Sequence, residues 1–245
     1  MAFPLLTGLG LASPTLPTFA LALSALCLFL GHEPLAVLLG VRGRRLKESL
    51  GERARHRAVA LLSAGGFLGT VAAVQSWEVL WPSLLLPSVP AFLLLPLVLS
   101  GRQKTLLGEM LVVTAFSTLV LPLGVSAGAE PALAGAASLV WWVSFFLGTL
   151  EVHAIKARYK EKAQRVWTRW ASPATSLLTL AVCTVALSRA GSGSSVPFLA
   201  LIPPALAVLS VDIARVHPRN LKKVGWALVA ANTLSLAFLV AGGRT

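Results

Sequence analysis

Apolar residues run through this chain in long blocks, and each block stops at a cluster of charge, Pro or Gly. The blocks fall at 2–12, 17–39, 58–76, 79–99, 105–124, 131–153, 171–188, 197–214 and 224–241. Near-continuous Leu, Ala and Val over about 20 residues is the length of a membrane-crossing helix, an element that satisfies its own backbone polar groups in lipid. The pattern predicts an all-α, polytopic transmembrane bundle of about nine helices, forming one transmembrane domain over 1–245. The first block is a stub, because ten or eleven helical residues reach only ~16 Å of a ~30 Å hydrocarbon core.

Composition agrees. The chain is 56% hydrophobic and 12% charged, with mean hydropathy +0.79, whereas a soluble domain carries about 25% charge. Too few charges remain to coat a water-facing globule. The first residues lack the basic segment of a cleavable signal peptide, so the first block is read as part of the mature fold.

The net charge of +12 would point to nucleic acid in a soluble protein, but its distribution points elsewhere. Of 21 Lys and Arg, seven lie in 42–57, two are Arg102 and Lys104, six lie in 156–169 and four in 215–223. The alternate connections, at 12–16, 77–78, 125–130 and 189–196, hold only Arg189. Charge therefore alternates in step with the blocks. The positive-inside rule places the N-terminus in the cytoplasm and the C-terminus outside, in a plasma (inner) membrane, with the basic loops meeting anionic headgroups and no nucleic-acid partner. The stretches 44–57 and 156–169 mix Arg, Lys, Glu and Ala at helical spacing, which extends a helix beyond the membrane at each.

Several residues read as structural. Trp77, Trp81, Trp167 and Trp170 flank connections as interfacial anchors, while Trp141 and Trp142 lie within a span. Gly65 and Gly69 form a GxxxG pattern that permits close helix approach. Pro203-Pro204 is expected to kink the eighth span. Cys27 and Cys183 are far apart inside apolar spans and read as small buried residues rather than a disulfide or metal pair.

Four acids stand in or beside apolar spans: Glu33, Glu109, Glu151 and Asp212. A charged carboxylate at mid-bilayer costs about 2.5–3.5 kcal/mol, so such groups face protein and take partners. Counting from the nearest basic residue at 1.5 Å rise, Glu109, Glu151 and Asp212 lie within ~8 Å of the basic boundary and Glu33 within ~13 Å. Two constellations follow. Gly31-His32-Glu33-Pro34 sits near the inner end of the second span, where Pro34 frees a carbonyl beside an ionisable pair. Glu151-x-His153-x-x-Lys156-x-Arg158 ends the sixth, with Glu151 and Arg158 on one helical face. Either the acids and histidines line a cytoplasm-facing cavity, or they hold helices together, with Glu109 and Asp212 merely interfacial. No H-E-x-x-H, P-loop, Cys pair or G-x-S-x-G stands anywhere in the chain.

At Pro4-Leu5-Leu6-Thr7-Gly8-Leu9, Phe29-Leu30-Gly31-His32-Glu33-Pro34-Leu35 and Phe146-Leu147-Gly148-Thr149 the sequence resembles the YwiC-like membrane proteins. The resemblance implies a His-Gly-Ala-Trp or His-Gly-Gly-Trp element ahead of the Pro-Leu segment, which this sequence does not contain. The layout also looks like that of the UbiA-type intramembrane prenyltransferases, whose active-site motifs stand at the cytoplasmic ends of helices two and six. Their N-x-x-x-D and D-x-x-x-D motifs are missing here, and magnesium would be a cofactor only if that analogy held.

Three functions stay open. One is a cavity for a lipid or isoprenoid-like amphiphile, in a divergent prenyltransferase-like enzyme or a binding protein, lined by His32, Glu33, Glu151, His153 and Arg158, with Glu109 and Asp212 as secondary candidates. The second is a small proton- or cation-coupled transporter using Glu33. The third is a structural or assembly protein.

Overall fold

The computed structural model describes residues 2–158, 166–189 and 195–243, with no side chains at 166–169. The basic stretch at 159–165, the Trp167 side chain and Arg244 therefore lie outside the described residues. Everything described is helix, turn or connection: α1 (Ala2–Gly10), α2 (Leu16–Leu38), α3 (Arg44–Leu99), α4 (Leu106–Thr118), α5 (Val120–Ser126), α6 (Pro131–Arg158), α7 (Val166–Arg189), α8 (Val196–Ile213) and α9 (Leu221–Gly242). Seven helical stretches among them, one being α4 with α5, are long and apolar enough to cross a membrane. Large apolar side chains such as Val74, Phe67 and Phe92 are about 70% exposed or more, as lipid-facing residues are. The protein is a multi-pass integral membrane protein. The helices group into two compact units, an N-terminal one of residues 8–134 and a C-terminal one of 135–245 with 1–7.

In the N-terminal unit, α3 has 56 residues, which would extend ~84 Å if straight, against a hydrocarbon core of ~30 Å. Its geometry breaks at Ser76 (φ −144°, ψ 30°), where the hydropathy pattern separates the third and fourth spans. Contacts show that the chain turns back there. The stretch before the break runs antiparallel to α2: Gly31 faces Leu62, Gly65 faces Leu28, and Gly69 faces Ser24. The α4–α5 segment is also antiparallel to α2, through Ser126 Oγ donating to Thr18 Oγ1 at 3.2 Å and edge-on packing of Phe29 on Phe116. Leu106 therefore lies at the Leu38 end, and the tight link over 100–105 puts Leu99 there too. Arg44 and Leu99 share one end, Ser76 occupies the other, and α3 supplies two spans.

The expected helical extension is present at 44–57. Counted from Ala58, the 18 residues to Gln75 make ~27 Å of apolar helix, and the preceding fourteen project ~21 Å further. All of 44–57 is exposed except Gly51 and Ala54. Gly43, at φ 103°, caps it in a conformation that L side chains rarely adopt.

In the C-terminal unit, one seam of α6 at 141, 144, 148, 151, 155 and 158 meets its neighbours at alternating steps of three and four. Trp141, fully buried, donates from Nε1 to Thr7 Oγ1 at 2.9 Å and stacks on Phe3, tying the first residues of the stub to α6. Ser144 Oγ donates to Asn232 Oδ1 at 2.6 Å, Gly148 admits Leu228, and Ile155 packs with Val211 and Val224. Helix α8 runs unbroken through Pro203 and Pro204. Pro204 has no N–H for the Ala200 carbonyl, and Ser235 Oγ of α9 donates to it instead, at 2.6 Å. The proline pair thus creates a helix–helix hydrogen bond.

Candidate functional site

The structure divides the sequence-derived candidates between the units. His32, Glu33 and Glu109 belong to the N-terminal unit, and Glu151, His153, Arg158 and Asp212 to the C-terminal one. Helix α2 ends at Leu38, and the turn through Gly40 (φ 75°) and Gly43 folds Arg42 back. Arg42 Nη2 donates to Glu33 Oε2 at 2.5 Å, and the Glu33 side chain stays 58% exposed. Glu33 is thus a paired carboxylate at the basic end of α2, and His32 beside it is half-buried. Glu109 stands in the first turn of α4, where a negative charge complements the helix dipole. Thr105 caps the same turn, its side chain accepting from the Gly108 N–H at 3.3 Å.

The C-terminal unit gathers its candidates. Glu151 is fully buried on the α6 seam. Arg158, seven residues on and 14% exposed, donates from Nη2 to Glu151 Oε1 at 3.2 Å. The same nitrogen donates to Asp212 Oδ1, at the end of α8. Ser172 Oγ, near the start of the apolar part of α7, donates to Glu151 Oε2 at 2.6 Å. One buried cluster therefore joins three helices through a single guanidinium between two carboxylates. A carboxylate in this setting loses several kcal/mol of hydration, which a charged donor and a hydroxyl together offset. Asp212 is a full member rather than merely interfacial. His153, two residues from Glu151, is half-buried and has a polar partner of its own.

Ser172 was missed in the sequence. A Ser-Pro step at a span end is common, and only its depth, matched to that of Glu151, marks it. Among the described residues no group of three or more His, Cys, Asp or Glu could hold a metal ion.

Beside the cluster, where α8 gives way to α9, a groove of about 460 Å³ opens. Val211, Val224 and Ala227 give it an apolar part, and Arg215, His217, Asn220 and Lys223 a polar, basic one. Local backbone builds that basic part. Arg215 closes α8 in the left-handed region at φ 46°, a conformation that costs a non-glycine residue about 1–3 kcal/mol. His217 then caps the single 3-10 turn of Pro218–Asn220, its Nδ1 accepting from the Arg219 N–H at 3.2 Å.

No curated protein and no solved structure matches this chain. The family model of the YwiC-like proteins matches residues 1–123, which hold His32, Glu33 and Glu109 but neither the buried cluster nor the groove. Those residues span half of the chain, which belongs to the YwiC-like protein family.

Proposed function

We propose that the C-terminal unit binds an anionic, lipid- or isoprenoid-like amphiphile in the groove beside the Glu151–Arg158–Asp212 cluster. The groove's division carries the reading: apolar Val211, Val224 and Ala227 suit a tail, and Arg215 and Lys223 suit an anionic headgroup at the membrane boundary. The buried cluster supports it by holding α6, α7 and α8 together at the end where the groove opens. Lys156, Arg219 and Lys222 add positive charge to the same end. The positive-inside rule assigns that end to the cytoplasm and the far end of α9 to the outside. The UbiA-like reading rests on the order of helices alone. Binding is the part of it that the groove supports.

The test is native mass spectrometry of protein extracted gently from its own membranes. Wild type should retain an anionic amphiphile, and Lys223→Glu should lower its occupancy about tenfold, the effect of roughly 1.4 kcal/mol. Arg45→Glu, on the exposed extension of α3, should leave it unchanged. Equal retention by wild type and Lys223→Glu would refute the proposal.

A further inference from the structure

A second groove lies at the opposite, charge-poor end of the N-terminal unit. It measures about 580 Å³ and opens between the start of α2 at Thr15, the α3 break at 75–78 and the end of α5 at 125–128. Its walls are joined across the sequence. Thr15 Oγ1 donates to the Ser126 carbonyl at 3.2 Å, and Ser126 Oγ donates to Thr18 Oγ1 at 3.2 Å.

The groove's chemistry is one-sided. Over 10–18, 73–81 and 119–132 the only formal charges are Glu78 and Glu130, with no Lys, Arg or His. Glu78 lines the groove and is exposed. Its backbone carbonyl has no helical donor four residues ahead, because that residue is Pro82. Gln75 and Ser76 add acceptor capacity, and Trp77 brings a ring that is 60% exposed. A bare divalent ion takes six or more oxygen ligands, usually several of them carboxylates. One carboxylate, neutral oxygens and an exposed indole instead fit an organic cation, which gains from both the charge and the ring face.

We propose that this groove binds an ammonium group, with Glu78 as its counter-charge and Trp77 as its aromatic contact. Trp77 and Trp81 mark the headgroup level, so the ammonium can belong to an aminolipid or to a free amine. The site is independent of the basic groove, since it belongs to the other unit and carries the opposite charge.

The experiment has two arms on the purified full-length chain. In the first, native mass spectrometry follows binding from an equimolar mixture of phosphatidylethanolamine and phosphatidylglycerol. In the second, ethanolamine hydrochloride is titrated in lipid-free detergent and followed by tryptophan emission, against NaCl at equal ionic strength. Glu78→Gln should weaken phosphatidylethanolamine binding about tenfold, the loss of one charge-assisted contact. Trp77→Leu should weaken it less, and phosphatidylglycerol binding should not move. An ethanolamine response lost in Glu78→Gln, with lipid binding unaffected, would identify a free amine as the ligand. If neither variant changes either probe, or NaCl reproduces the ethanolamine response, the ammonium site is refuted. Both side chains are exposed, so neither substitution disturbs packing.

Discussion

Arg158 carries the densest set of obligations in the C-terminal unit. It answers a fully buried carboxylate on its own helix and a second on α8, so removing it strands Glu151 without a counter-charge. Arg158→Leu should cost about 3–5 kcal/mol of stability, the range for breaking one side of a buried pair. The double variant Glu151→Leu/Arg158→Leu should recover much of that loss. Thermal unfolding in detergent checks both, and a double variant no better than the single would contradict the pairing. Arg215 makes the contrasting case. Glycine adopts φ 46° without penalty, so Arg215→Gly should raise the midpoint while weakening amphiphile retention, separating binding from stability. At this scale the sequence was legible where one helix decides the geometry: seven-residue spacing put Glu151 and Arg158 together. It was not legible where three helices meet, because no local pattern ties Ser172 and Asp212 to that pair.

At the scale of elements, close approach between α2 and α3 depends on residues without side chains. A Cβ on Gly65 would stand 2.9 Å from Leu28 Cγ, and one on Gly69 would stand 3.0 Å from Ser24 Oγ, whereas Gly66 has no neighbour within 4 Å. Gly65→Ala should therefore destabilise by about 1–3 kcal/mol through overpacking. Gly66→Ala should be neutral or stabilising by up to about 1 kcal/mol through helix propensity. Equal effects at the two neighbours would rule out the packing argument. Hydropathy located this pair and the GxxxG within it, but the turn at Ser76 needed contacts to establish. Helical hydrogen bonding continues on both sides of the break, and only the antiparallel partners show that the chain reverses. Pro203-Pro204 taught the converse. Its missing donor was legible, but the answer to it, Ser235 on α9, lies 31 residues from Pro204.

Across the whole molecule, charge is sorted by helix end. In the N-terminal unit Arg42, Arg102 and Lys104 mark the end at which α2 and α3 finish, and Thr15, Ser76 and Gly128 mark the other. In the C-terminal unit Lys156, Arg158 and residues 215–223 are basic, and the far end of α9 is not. The positive-inside rule then predicts sidedness. In a chain lacking Cys27 and Cys183, single cysteines at Gln103 and His217 should react from the cytoplasmic side and one at Gly128 from the outside. A shared side for all three would overturn the topology. Alternating charge made this arrangement readable, whereas the grooves were not, since each forms only when separate connections meet in space.

The central claim, that the basic groove of the C-terminal unit holds an anionic amphiphile, is tested most directly by photo-crosslinking in intact membranes. A benzophenone side chain replaces Ala227, which lines the groove, or Val229, exposed two residues on along α9. Position 227 should capture one anionic class far above its share of the membrane, and position 229 should capture bulk lipid in proportion. Identical adducts at both positions would contradict the account.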